Sequence, residues 1–184
     1  GAATRLAPCL VGLDKRYVTD IDLTATTATG DPKGDVVEQH DPPAAGELEA
    51  ALERLRGVVE LPVPAASAVK IGGERSYRLA RRGVVVEQPV RRSLVHAIDV
   101  VEHTGSSVRL DLHVSSGTYV RSIAAALGGH CTTLRRTEVG PFSVDEARPV
   151  DAAVLQPVAD VLGRLPAEAL ERVASDVREG VLAR

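Results

Sequence analysis

The clearest alternation of apolar and polar side chains lies at Val108, Leu110, Leu112 and Val114, which interleave with Arg109, Asp111, His113 and Ser115. A period of two predicts a strand with one buried and one wet face. Ile123-Ala124-Ala125-Ala126-Leu127 follows as a helix, so Arg121 sits at a strand-to-helix junction. Upstream, Leu94 to Glu102 reads as the partner strand of a hairpin that turns through His103-Thr104-Gly105-Ser106-Ser107. Tyr17, Thr19, Ile21 and Leu23 alternate with Val18, Asp20 and Asp22 and predict another strand. Leu48, Ala51, Leu52 and Leu55 recur at helical spacing, a core-packing helix closed by Gly57. Cys131 to Val139 reads as a strand that ends in a Gly140-Pro141 turn.

Between these elements the pattern breaks. Thr24 to Asp35 is polar, with Asp31-Pro32-Lys33-Gly34 as a type I turn, and its aspartates lack the spacing of a calcium loop. Leu61-Pro62-Val63-Pro64 interrupts the chain, and a basic segment follows from Lys70 to Arg92. A helix over Glu74 to Arg82, ended by Gly83, would put Arg75, Arg78 and Arg82 on one stripe, extended by Arg91 and Arg92. Like charges repel along such a stripe unless anions screen them, as a phosphate backbone would. A solvated helix face is the other reading. From Pro149 onward alanine, valine and proline dominate around two short helical patterns, which suggests a linker and the start of a small second domain.

Composition narrows the function classes. The chain has 184 residues and a formal net charge of −3, so it is not a uniformly basic nucleic-acid binder and the placement of its arginines matters more than their sum. Cys9 and Cys131 offer neither metal-ligand spacing nor a disulfide framework, and read as free buried thiols in a reducing cytoplasm. His96, His103 and His113 alternate with apolar residues or lie in a turn, with no second ligand set converging on them, so no metal is expected. No apolar run is long enough to span a bilayer.

Arg121 carries the most chemistry. A cation in the first turn of a helix opposes the positive end of the dipole, which points to a fixed anion as its partner. A guanidinium also grips a carboxylate or phosphate in an oriented, two-pronged way that an ammonium cannot. A solvated surface arginine is the competing reading.

The segment Gly117-Thr118-Tyr119-Val120-Arg121 resembles the G-T-Y-[IV]-R signature of the tRNA pseudouridine-55 synthases, the TruB-type enzymes. Further blocks agree in order. Gly1-Ala2-Ala3-Thr4-Arg5-Leu6 resembles the family's G-x-A-T-R-L segment, and Asp14-Lys15-Arg16-Tyr17 its K-x-Y strand. Ser67-Ala68-Val69-Lys70 and Tyr77-Arg78-Leu79-Ala80-Arg81-Arg82-Gly83 are similar to its S-A-x-K and Y-x-x-A-R-x-G blocks. Leu134-Arg135-Arg136-Thr137 with Val139-Gly140-Pro141-Phe142 is similar to its L-R-R-T-x-x-G-x-F strand.

Three departures stand beside the likeness. The family's nucleophilic aspartate lies in a G-x-L-D-P-x-A-T-G loop, and none of Asp14, Asp20, Asp22 or Asp31 has that context, so the chain reads as an enzyme without its N-terminal part. The spacing from Pro64 to Ser67 and the helix after Ile123 are both shorter than the family's. With no methionine anywhere, these spacings lead us to expect that residues are missing at both places.

The resemblance implies an α/β (α+β) fold, a mixed and largely antiparallel sheet with flanking helices. It implies a catalytic domain over residues 1–148, with an RNA-gripping insertion at 61–92, and the linker and start of a PUA-like or lineage-specific domain at 149–184. The implied activity is isomerisation of uridine to pseudouridine in the T-loop of tRNA, by a cytoplasmic enzyme that is a monomer without metal or cofactor. Arg121 would hold the nucleophilic aspartate ionised and aimed. Tyr17 and Tyr119 would line the uracil pocket, Tyr17 with a catalytic part, and Leu134 would lie beneath the base. Lys70, Arg75, Arg78, Arg82, Arg91, Arg92, Arg135 and Arg136 would bind RNA. A non-catalytic protein that binds or folds tRNA is the alternative, and an unrelated α/β domain with chance matches is a second.

Overall fold

The computed structural model describes residues 7–171, apart from 83, 85 and 86. The block Gly1 to Leu6, the terminating Gly83 and the tail of the expected second domain from residue 172 lie outside the described residues.

Strands β1 (Lys15–Asp22), β2 (Ala25–Thr27), β3 (Val36–Gln39) and β4 (Gly57–Pro62) come first, with helices α1 (Ala7–Val11) and α2 (Ala45–Arg54) among them. Then follow β5 (Lys70–Ile71), β6 (Glu74–Arg75), helix α3 (Ser76–Arg81), β7 (Val90–His103), β8 (Ser107–Val114) and helix α4 (Val120–Ala126). Strands β9 (His130–Val139) and β10 (Phe142–Ser143) and helix α5 (Val158–Arg164) complete the order. Six strands make one sheet in the order β10-β9-β1-β8-β7-β4, while β2 with β3 and β5 with β6 make two small ribbons. The registers of β4 on β7, β7 on β8 and β9 on β10 are antiparallel. This is the α+β class that the resemblance implies.

The chain divides into two compact units, one of Tyr17–Arg135 and the other drawn from Gly1–Arg16 and Arg136–Arg184. In the first, the alternation in β8 does what its period requires: Val108, Leu110, Leu112 and Val114 are buried while Arg109 stays exposed. They pack with Ile21 and Leu23, with Leu48, Leu52 and Leu55 of the α2 segment, and with Val120, Ile123 and Ala124 of α4. Each Val, Leu or Ile among them, fully buried, contributes roughly 1.5 to 3 kcal/mol, so this cluster sets the plane on which α4 rests. On the polar side, Arg109 donates from Nε to Asp20 Oδ1 at 2.7 Å and from Nη2 to Oδ2 at 3.2 Å. That pair and the Thr133 hydroxyl hold the Asp20 carboxyl below the usual range.

In the second unit Cys9, Leu13, Leu165 and Ala169 form their own cluster. Arg164 joins both carboxylate oxygens of Glu146 at 2.7 Å each and lies 4.4 Å over the Phe142 ring. The expected domain limit at residue 148 falls inside this unit.

Several sequence expectations need correcting. The polar stretch Thr24 to Asp35 is not all loop, because β2 lies within it and pairs with β3. Gly57 ends the α2 segment in a left-handed conformation (φ 77°), yet it also opens β4, an edge strand that can end on Pro62 because its outer N–H groups need no partner. The helix expected over Glu74 to Arg82 is shorter. Arg75 lies in β6, paired in register with Lys70, and only Ser76–Arg81 is helical. Two of the three histidines are also brought together: a register shift between Val95 and Ala97 sets His96 beside His113, ring centroids 4.5 Å apart.

The Gly128 and Gly129 N–H groups donate to Ala125 O and Ala124 O, closing α4 with Gly128 at φ 79°. Between Pro64 and Ser67, the Ala65 and Ala66 carbonyls are both engaged, by Ser76 and Arg121. Cys9 and Cys131 are free and buried, and burial pushes the Cys131 thiol up. No helix among the described residues is long and apolar enough to cross a membrane.

Candidate active site

Arg121 enters α4 one residue past its start, with Tyr119 in extended geometry at the N-cap and no side-chain cap. The segment before it is pinned on both sides. Ser115 receives Leu94 N–H on its hydroxyl at 2.9 Å, and Ser122 donates its hydroxyl to Pro62 O at 2.6 Å. Gly117 takes φ 83°, a conformation open to glycine, and Arg91 Nη1 would lie 3.8 Å from a Cβ placed there. The last residues of the basic segment therefore reach the G-T-Y-V-R turn.

The guanidinium of Arg121 is fully oriented. Nη1 donates to Thr29 O at 2.7 Å and lies 3.3 Å from Asp31 Oδ2, while Nη2 donates to Ala66 O at 2.9 Å. Two segments far from it in sequence, the 29–31 turn and Ala66, thus converge on one side chain. Asp31 is the fixed anion that a cation in the first turn of a helix calls for, and the sequence did not single it out because its own neighbourhood is only a turn. That turn exists: Gly34 N–H donates to Asp31 O at 3.2 Å, and Lys33 N–H to Asp31 Oδ1 at 3.0 Å. The Thr29 hydroxyl donates to the same Oδ1 at 2.7 Å. Burial raises the Asp31 carboxyl, but the Thr29 and Lys33 hydrogen bonds and the charges of Arg121 and Lys33 outweigh it, so its pKa lies below the ordinary value.

A cavity of about 670 Å³ opens beside this pair, walled by Ala28, Thr29, Asp31, Ala66, Tyr77 and Arg121, among others. Its size suits one small ligand or a single base with its sugar. Tyr77, from α3, is its tyrosine. Tyr17 is instead part-buried against the main core, and Tyr119 is half-buried at the N-cap of α4. Leu134 is 46% exposed on β9, an apolar side chain left open to contact, and Arg135 beside it is exposed.

The remaining basic residues divide. Lys70, Arg75, Arg78, Arg91 and Arg92 are exposed on the 70–92 segment, while Arg82 is tied to Glu74 at 2.6 Å. Arg78 lies 5.9 Å over the Tyr77 ring, which couples the basic face to the cavity wall. Arg136 is exposed on β9.

Residues 1–120 match the family model described as TruB family pseudouridylate synthase, N terminal domain. The chain belongs to that family. It is 41% identical over 169 residues to tRNA pseudouridine synthase B of Mycobacterium sp. strain KMS, covering 84% of this chain and 56% of that protein. Against the same-named protein of Geobacillus kaustophilus strain HTA426 it is 35% identical over 211 residues, covering 100% of this chain and 74% of the relative. The chain thus spans little more than half the length of the mycobacterial relative. Among solved structures it resembles a chain of a Cbf5-Nop10-Gar1 complex, with a TM-score of 0.55 and 27% identity over 78% of this chain and 36% of that one. A chain of an H/ACA RNP bound to a substrate RNA containing 2'-deoxyuridine shares the fold, with a TM-score of 0.52 at 23% identity, over 78% of this chain and 34% of that one.

Proposed function

We propose that the whole protein isomerises a uridine of the tRNA T stem-loop to pseudouridine. The observation that carries this reading is Arg121, a guanidinium in a G-T-Y-V-R turn, held in one orientation by Thr29 O, Ala66 O and Asp31 at the wall of a base-sized cavity. An aspartate nucleophile must be ionised and correctly aimed, and a fixed guanidinium supports both by charge and by hydrogen-bond direction. In this reading the nucleophile belongs to the family's G-x-L-D-P-x-A-T-G loop, which the 184 residues do not contain. The target base leaves its stack to reach the site, and the exposed Lys70, Arg75, Arg78, Arg91, Arg92 and Arg135 grip phosphates without reading sequence. Such a reaction calls for no metal and no cofactor, and we infer that a monomer carries it out in the cytoplasm.

The test is pseudouridine formation in a T stem-loop RNA by the whole protein, with binding measured over a salt series. Turnover and a steep salt dependence are expected. Replacing Arg78, Arg91 and Arg92 by alanine should lower the slope of log K against log salt by roughly 0.7 to 0.9 for each phosphate that is no longer neutralised. Tight binding with no product would favour a tRNA-binding or tRNA-folding protein, and neither binding nor product would overturn the reading.

A further inference from the structure

The pair at the cavity wall does not stand by itself. Thr29 touches both of its members through different atoms: its hydroxyl donates to Asp31 Oδ1 at 2.7 Å, and its carbonyl accepts from Arg121 Nη1 at 2.7 Å. The bond to Asp31 is shorter than the 3.3 Å between Arg121 Nη1 and Asp31 Oδ2, so the carboxylate is aimed more by Thr29 than by the arginine. Thr29 is itself boxed in. A Cβ on Gly34 would fall 2.4 Å from Thr29 Oγ1 and 2.6 Å from its backbone N, closer than real side chains approach. The turn from Asp31 to Gly34 therefore closes tightly over Thr29 because residue 34 has no side chain. Thr27 adds a brace, its hydroxyl donating to Asp31 O at 2.8 Å.

We propose that Thr29 is a positioning residue for the reaction, setting the direction of the Asp31 carboxylate with its hydroxyl while its carbonyl fixes the Arg121 guanidinium. The inference rests on the pseudouridine-forming reading above. Thr29 acts through Asp31 and Arg121 and has no bond-making part of its own. Removing the hydroxyl takes away the shorter of the two bonds on Asp31 Oδ1 and leaves only the Lys33 N–H at 3.0 Å, so the carboxylate beside the guanidinium is less firmly directed. Loss of aim at a reacting group lowers the rate of the chemical step while leaving the grip on phosphates intact.

The experiment uses the whole enzyme and a T stem-loop RNA. Single-turnover rates and RNA dissociation constants are measured for Thr29→Val, which keeps the shape and removes the hydroxyl, and Thr29→Ser, which keeps the hydroxyl. Expected is a fall of about tenfold or more in rate for Thr29→Val, dissociation constants within about twofold of wild type, and recovery to within a few-fold in Thr29→Ser. Gly34→Ala, which pushes on Thr29 from outside, should slow the same step without changing Thr29 itself. It also decides the question if Thr29→Val fails to fold. Equal losses in Thr29→Val and Thr29→Ser would make the role steric and overturn the proposal, as would a wild-type rate in Thr29→Val or in a folded Gly34→Ala. A wild-type enzyme that binds this RNA but makes no product overturns the functional reading instead.

Discussion

Arg121 and Asp31 meet across 90 positions of sequence, Nη1 to Oδ2 at 3.3 Å, with 21% and 31% of their side chains still exposed. At that exposure the pair is worth little to stability by Coulomb attraction, since water screens it. Its value lies in geometry. Arg121→Lys keeps the charge and one donor group but cannot reach Thr29 O, Asp31 and Ala66 O together, so the rate of pseudouridine formation in the whole enzyme should fall about a hundredfold. Binding of the stem-loop RNA should change by less than about threefold. A near-normal single-turnover rate for the lysine variant would mean that charge alone suffices.

Gly30 sets how closely the turn approaches that arginine. It adopts φ 71°, and a Cβ there would lie 3.1 Å from Arg121 Cβ. Gly30→Ala should cost about 1 to 2 kcal/mol from the left-handed backbone alone, with a further cost from moving Arg121. For a protein of this size that corresponds to a melting temperature lower by roughly 2 to 8 °C. Calorimetry on the variant checks this, and an unchanged melting point would show that the turn relaxes without strain.

His40 should respond to pH. Its Nε2 lies 2.8 Å from Gly128 O and its Nδ1 3.0 Å from Asp41 O, and two carbonyl acceptors are satisfied together only by the doubly protonated ring. The bonds to Asp41 and Gly128, with the nearby Glu38 and Asp41 charges, raise its pKa above the ordinary value. A raised pKa contributes stability that is complete below the unfolded value of about 6.5 and is lost as pH rises through the folded value. The melting temperature should therefore decline on going from pH 6 toward pH 8, and His40→Ala should remove that part of the decline. Direct titration of the imidazole by NMR should give a midpoint above 6.5, and one at or below it would refute the double bond to carbonyls.

Local pattern was enough for the sheet strands and the main helix, because burial of one face imposes its period on the sequence whatever the partner. Val108 to Val114 and Leu48 to Leu55 are of this kind, and both lie in the structure where their spacing puts them. Motif order was enough for the family, and the contiguous G-T-Y-V-R segment has its glycine in a left-handed turn just ahead of Arg121. Short elements escaped: β4 is an edge strand interrupted by proline, and β6 takes Arg75 out of the expected helix by pairing it with Lys70. The site's second half escaped as well. Asp31 in sequence is one aspartate in a polar turn, and Ala66 is an alanine whose carbonyl, not its side chain, meets Arg121. Residue types along the chain specify which side chains must be buried and which motif must turn. Which distant carboxylate and which backbone oxygens surround one guanidinium is decided only when the turn between β2 and β3, the segment around Ala66 and α4 pack together, because those meetings depend on tertiary approach and carry no periodic signal.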